Sequence, residues 1–255
     1  MSYTPFDYTN VGPLFIYYIF LSILAIFLTI KMFMKWRERK VSAPLYLTIV
    51  FTLFTVALMG LTLGLGEGVL TSYYMDIYRF SLPFGYSMVV LANILLFKFI
   101  SEITESGEKL MIPIILIGAV IFVLLYLPWN WWGVPEIDYE GELNIRLYIT
   151  ICLVLFSCLI YLYIARICRK TMVSAIDKVA HFGLNLLFWG MICMIGFFMM
   201  FIGDTILIVV FDHPGYSQFV YVAWVFAMLF YIVSYLSLVM PDWLVKRIQK
   251  TSEKD

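Results

Sequence analysis

The chain has 255 residues, 63% hydrophobic, 18% aromatic and only 13% charged, with a mean hydropathy of +0.95 and a formal net charge of zero. Soluble domains are about half apolar and about a quarter charged, so a water-soluble fold of this size cannot hide this much apolar surface, and the bilayer is the fitting solvent. A neutral chain with no basic domain offers no electrostatic attraction to nucleic acid, which is not expected as a partner.

A helix needs about 20 apolar residues to cross the hydrocarbon, and helices are required because backbone groups in lipid must bond within their own segment. Seven segments qualify, at 14–34, 43–66, 78–100, 110–129, 146–166, 183–208 and 217–240, each with at least 17 consecutive uncharged residues. The predicted fold class is therefore an all-α membrane protein, a bundle of seven transmembrane helices forming one domain over 1–241. A short basic amphipathic cytoplasmic tail follows at 242–255.

The first twelve residues hold no Lys or Arg, and no small-residue cleavage site follows the first apolar run, which argues against a removed signal peptide. The second span carries Thr48, Thr52, Thr55, Met59, Thr62 and Gly66 within one sector of about 80°. That weakly polar stripe either packs helices or lines a cavity. On another face Gly60 and Gly64 form a GxxxG, a common packing device and a possible route to a homo-oligomer.

In the third span Arg79, Tyr86, Asn93 and Phe97 share a stripe, and Pro83 is expected to kink the helix. An amide at the depth of Asn93 must find partners, because an unsatisfied polar group costs several kcal/mol in hydrocarbon. Pro113 sits near the start of the fourth span, whose end, "LPWNWWG", places Trp129, Trp131 and Trp132 in an outer aromatic belt. Trp36 and Trp243 fit the inner belt.

The sixth span contains "FFMMFIGDTILIVVF", where Asp204 is the one charge between Phe182 and Phe211. It shares a helical face with Met200, Gly196, Cys193 and Trp189. An ionisable residue in a span faces the interior and has a partner. By depth, Arg79 and Glu67 are the candidates for one outer vestibule with Asp204. The three readings are a structural Asp204–Arg79 ion pair that fixes helix registry, an outer binding or sensing site, and a merely interfacial carboxylate. Repulsion between Glu67 and Asp204 would suit a proton- or cation-responsive site.

Tyr221, Trp224, Met228, Tyr231 and Tyr235 stripe the seventh span, as core packing or as the wall of a ligand site. Pro241 ends that span, and "DWLVKRIQK" is expected to lie on the inner surface as an amphipathic turn or two, with Trp243, Leu244 and Ile248 dipping in. The four cysteines, Cys152, Cys158, Cys168 and Cys193, read as free thiols.

Fifteen of the 17 Lys and Arg residues fall on one side of the membrane and only Arg79 and Arg146 on the other. The positive-inside rule puts the N-terminus outside and the C-terminus inside, as an odd number of spans requires. The expected location is the cell membrane, as a multi-pass protein in contact with lipid.

Several chemistries are excluded. Retinal bound through a Schiff base needs a lysine in the seventh helix, and none lies between Gln218 and Pro241. Haem or zinc needs clustered ligands, whereas His181 and His213 lie at opposite membrane faces. No cofactor and no metal are expected. "GLGE" (Gly64–Glu67) superficially resembles an intramembrane aspartyl protease signature, but with Glu for Asp and without the partner motifs. No P-loop or nucleophile elbow appears, so the chain reads as no enzyme.

The reading that remains is a receptor- or sensor-like bundle signalling in trans. Its candidate ligand-binding residues are Asp204, Arg79, Glu67, Asn93, Tyr86, Tyr221 and Trp224. Gly60, Gly64, Thr55 and Thr62 are candidate packing residues. The inner loops "KWRERK" and "ARICRKTMVSAIDKVAH" are long enough to dock a cytoplasmic or membrane partner. The alternatives are a structural or assembly subunit of a membrane complex and a small-solute or ion transporter or channel.

Overall fold

The computed structural model describes residues 4–40, 42–104, 107–127, 145–174, 177–211, 213 and 216–252. They form eight helices, α1 (Tyr8–Arg39), α2 (Ser42–Thr71), α3 (Asp76–Thr104), α4 (Glu108–Leu125), α5 (Ile145–Ser174), α6 (Lys178–Phe211), α7 (Gln218–Val239) and α8 (Asp242–Ser252). Two short strands, β1 (Thr4–Pro5) and β2 (Tyr73–Tyr74), pair antiparallel. The first seven helices are each long and apolar enough to cross a membrane.

Most of these helices outrun the apolar segments that mark them in the sequence. The 34 residues of α6 span about 51 Å at 1.5 Å per residue, against about 30 Å of hydrocarbon. The apolar run stops where charge begins, but Lys, Arg and Glu are good helix formers and headgroups or water accept them. The fourth helix does the opposite and ends at Leu125, short of the expected 129. Pro128 disfavours helical backbone at the residue before it. The expected amphipathic turn or two after Pro241 is an 11-residue helix, α8. Its Leu244 is buried while Trp243 is exposed, so only one of the apolar pair turns into the protein. Trp129, Trp131 and Trp132 lie outside the described residues.

The chain divides into two compact units. One comprises Met1–Thr29, Tyr46–Phe99 and Gly107–Ser157. In it α1 and α2 are joined by hydroxyls. Thr55 and Thr62 each donate to the carbonyl one turn back, on Phe51 and Leu58. Their single protons are thereby spent, so in the cross-helix bonds Thr29 donates to Thr55 (2.8 Å) and Ser22 to Thr62 (2.9 Å). The threonine stripe of α2 is thus helix glue rather than a cavity wall at these two positions.

Gly60 and Gly64 face α3 of the same chain. A Cβ at Gly60 would lie 2.9 Å from the Phe84 ring, and one at Gly64 would collide with Ser81 and come 3.1 Å from the Tyr78 backbone. Pro83 sits inside α3 and removes the N–H that would otherwise bond the Arg79 carbonyl. The N-terminal segment is tied to the α2–α3 turn by the β1–β2 pairing and by the Phe6 amide donating to the Ser72 carbonyl at 2.9 Å. Phe6 fills the space left by the missing side chain of Gly68 and packs against Tyr8 and Tyr74.

The second unit comprises Ile30–Leu45, Ile100–Ser106 and Cys158–Asp255. Its centre is the α6–α7 hairpin, built on a glycine seam that the sequence reading did not single out. Gly183, Gly190, Gly196 and Gly203 each turn toward α7, where a Cβ would meet Met240, Ser234, Phe226 and Phe219 respectively, at 2.5–3.2 Å. The seam lets the backbones approach closely enough for Ser237 Oγ to donate to the Gly183 carbonyl at 2.7 Å.

Two outcomes follow from this packing. Gly64→Ala should lower the melting temperature in detergent by the equivalent of about 1–3 kcal/mol of overpacking. Gly12→Ala, whose added methyl meets nothing within 4 Å, should be neutral or stabilising; thermal scans of both variants check the contrast. Burial pushes the Tyr74 hydroxyl up from 10.0 to about 12, the nearby charge of Asp7 adding to the rise and its backbone hydrogen bond opposing it. A raised phenol favours the fold fully below pH 10, and that contribution is lost as pH climbs through about 12. The N-terminal tie should therefore loosen between those values, and Tyr74→Phe should remove that part of the alkaline transition, as read by amide exchange at Phe6.

Candidate functional site

The seven candidate ligand-binding residues divide between the units. Glu67, Arg79, Tyr86 and Asn93 belong to the first, and Tyr221, Trp224 and Asp204 to the second.

In the first unit, Glu67 lies one turn before the end of α2. Its Oε2 accepts a hydrogen bond from the Tyr78 amide at 2.9 Å. Tyr78 is the third residue of α3, and its N–H is one of the four that a helix start leaves without an internal partner. Glu67 therefore reaches across the turn and caps the next helix. The charge also meets the positive end of the α3 dipole. Arg79, the next residue along, is 5% exposed. Its Nη1 stands 4.0 Å from Oδ1 of the exposed Asp76 one turn earlier. A cation in the first turn opposes the helix dipole, and the Asp76 carboxylate offsets it. Glu67 thus bonds the residue next to Arg79, at the start of α3.

Asn93 is fully buried, and its Nδ2 donates to Ser157 Oγ of α5 at 2.9 Å. The amide has found the partner that its depth demands. Tyr86 is half-buried. Ser87, beside it, donates to the Phe84 carbonyl and so accepts from the Tyr126 hydroxyl at 2.9 Å.

In the second unit, Asp204 is 7% exposed. Its Oδ1 accepts from the Ser217 amide at 2.9 Å. Ser217 is the N-cap of α7, and its side chain accepts from the Phe219 amide. The carboxylate thus continues the cap by one residue. It takes the amide immediately before the helix while Ser217 serves one inside it. Asp204 adjoins Gly203, the last glycine of the seam, so the face it shares with Gly196 is the face that packs on α7. Within its own unit, the partner of Asp204 is this backbone N–H. Trp224 is buried, with its ring 5.4 Å from Phe197 and 6.5 Å from Phe201 across the same hairpin. Tyr221 is half-buried.

Two carboxylates in apolar surroundings therefore share one role. Each stands near the end of one helix and bonds the start of the next, Glu67 from α2 to α3 and Asp204 from α6 to α7. The sequence carried half of this signal. Ser217, directly before an apolar run, is a recognisable N-cap. The carboxylate that reaches it from 13 residues upstream has no spacing rule.

Removing a cap of this kind costs about 0.5–2 kcal/mol. Asp204→Ala should lower the melting temperature accordingly, while Asp204→Asn, whose amide oxygen still accepts from Ser217, should retain most of the stability. An ionic role would instead make the two variants equally damaging. Comparison of the chain with protein-family models, with curated proteins and with solved structures gave no match, so the functional reading rests on this geometry.

Proposed function

We propose that the chain is a non-catalytic structural or assembly subunit of a membrane complex, a multi-pass protein of the cell membrane with its N-terminus outside and its C-terminus inside. One observation carries the reading. The polar side chains that a ligand site would need are engaged within the chain, Glu67 and Asp204 on helix starts and Asn93 on Ser157. The helices meanwhile turn large apolar side chains outward, among them Ile16, Leu63, Leu116, Leu159 and Val210. Those surfaces suit lipid or the apolar flank of another membrane protein. A transporter or channel would need a polar path past Asn93, and the full burial of that residue weighs against one. The orientation rests on fifteen of 17 basic residues lying to one side.

The receptor- or sensor-like reading keeps one support. Arg79 is buried while its ionic neighbour Asp76 has a side chain 76% exposed, at 4.0 Å. A wet carboxylate beside a dry guanidinium is a place where an external ion can compete.

The test is native electrophoresis of gently solubilised membranes, with the full chain tagged at its C-terminus. The tagged chain is expected in a discrete assembly larger than itself, which survives in Asp76→Asn. A chain that runs alone, and whose thermal stability shifts with external divalent cations only when Asp76 is intact, would overturn the assembly reading in favour of the sensor.

A further inference from the structure

A shallow groove of about 460 Å³ lies between α5 and α6, on the side of the membrane that carries most of the positive charge. Leu162, Arg166, Arg169 and Val173 of α5 line it. Their spacing of four, three and four residues puts them on one helical stripe. Lys170 flanks the stripe, and Phe188 and Ile192 form the α6 wall.

The groove is polarised along its length. Arg166 is the first charge after the uncharged run from Leu147 to Ala165, and α6 carries no charge from Phe182 to Gly203. Leu162, Phe188 and Ile192 therefore lie at hydrocarbon depth, and Arg166, Arg169 and Lys170 at the headgroup level. All three cations are exposed. Among the described residues, no carboxylate forms an ion pair with any of the three. The one acid between Arg166 and His181 is Asp177. It is committed to the start of α6, where its two oxygens accept from the Val179 and Ala180 amides at 3.2 and 3.1 Å. Three unneutralised charges over little more than one helical turn, above an apolar trough, complement an anion that carries its own hydrocarbon. A soluble anion would leave the trough unused.

We propose that this groove binds one anionic membrane phospholipid. Its headgroup phosphate is held by Arg166, Arg169 and Lys170, and an acyl chain lies along Leu162, Phe188 and Ile192. Arginine suits the phosphate because its planar fork donates in pairs, and basic recesses between helices at this level are the setting in which anionic headgroups are held.

The experiment uses the full chain in zwitterionic phosphatidylcholine nanodiscs, doped with phosphatidylglycerol, and reads lipid retained on release by native mass spectrometry together with thermal stability. Phosphatidylglycerol should be retained in preference to phosphatidylcholine and should raise the melting temperature. Each cation changed to glutamine should weaken retention about fivefold, so the triple variant R166Q/R169Q/K170Q should lose it. The α8 control K246Q/R247Q/K250Q, with the same change in charge, should keep it. Phe188→Ala should weaken retention with no change in charge. Each triple variant is first checked for an unaltered melting temperature in pure phosphatidylcholine; if R166Q/R169Q/K170Q fails that check, the single Arg169→Gln variant carries the comparison. Equal loss in the α8 control, equal retention of phosphatidylcholine, or the same stabilisation by glycerol 3-phosphate or inorganic phosphate would each overturn the proposal.

Discussion

A helix start exposes N–H groups that lipid cannot accept, and the protein must meet that demand from within. The free energy at stake is large, since an unsatisfied backbone group in hydrocarbon costs several kcal/mol. This chain meets the demand twice with a carboxylate carried on the preceding helix, Glu67 for α3 and Asp204 for α7. A charged group is a costly thing to place there. It is tolerable because the helix end it faces carries about half a positive charge and donors already aimed outward. The same bond fixes where the next helix begins relative to the last.

Between their ends the helices are held by contacts that need little side chain. Gly60 and Gly64 admit α3 against α2, and the four glycines of α6 admit α7. Where lipid removes the hydrophobic drive for helix association, close backbone approach and a few hydrogen bonds carry the packing. The hydroxyl pairs Thr29–Thr55 and Ser22–Thr62 fit this pattern. Each uses an acceptor left over after the threonine has bonded its own helix, so no donor is stranded. The β1–β2 tie works differently. It sits at a turn outside the spans and relies on aromatic burial around Phe6 and Tyr74.

Much of this architecture was legible in the sequence, because composition and uncharged length are one-dimensional properties. The seven helices follow from them, and so does the demand that Asn93 and Asp204 find partners. What the partners are did not follow. Asn93 meets Ser157, a residue 64 positions away, through tertiary packing that no periodicity encodes. For Asp204 the signals visible in a sequence are side-chain charges, and the backbone N–H that it bonds leaves no such mark. The α6 seam escaped notice for a related reason. Its glycines are six or seven residues apart, wider than the four-residue GxxxG spacing that drew attention to Gly60 and Gly64 instead.

That wide spacing has a consequence for how the hairpin assembles. Steps of seven, six and seven between the glycines make the seam nearly self-similar, so α7 could slide by one repeat, about 10 Å along the axis, and still find small residues opposite. Glycine spacing alone therefore does not specify which alignment forms. The Asp204–Ser217 bond breaks the degeneracy, since only one alignment brings the carboxylate to the head of α7. The lone charge in the greasy run then serves as an index mark, which tells two nearly repeating surfaces apart.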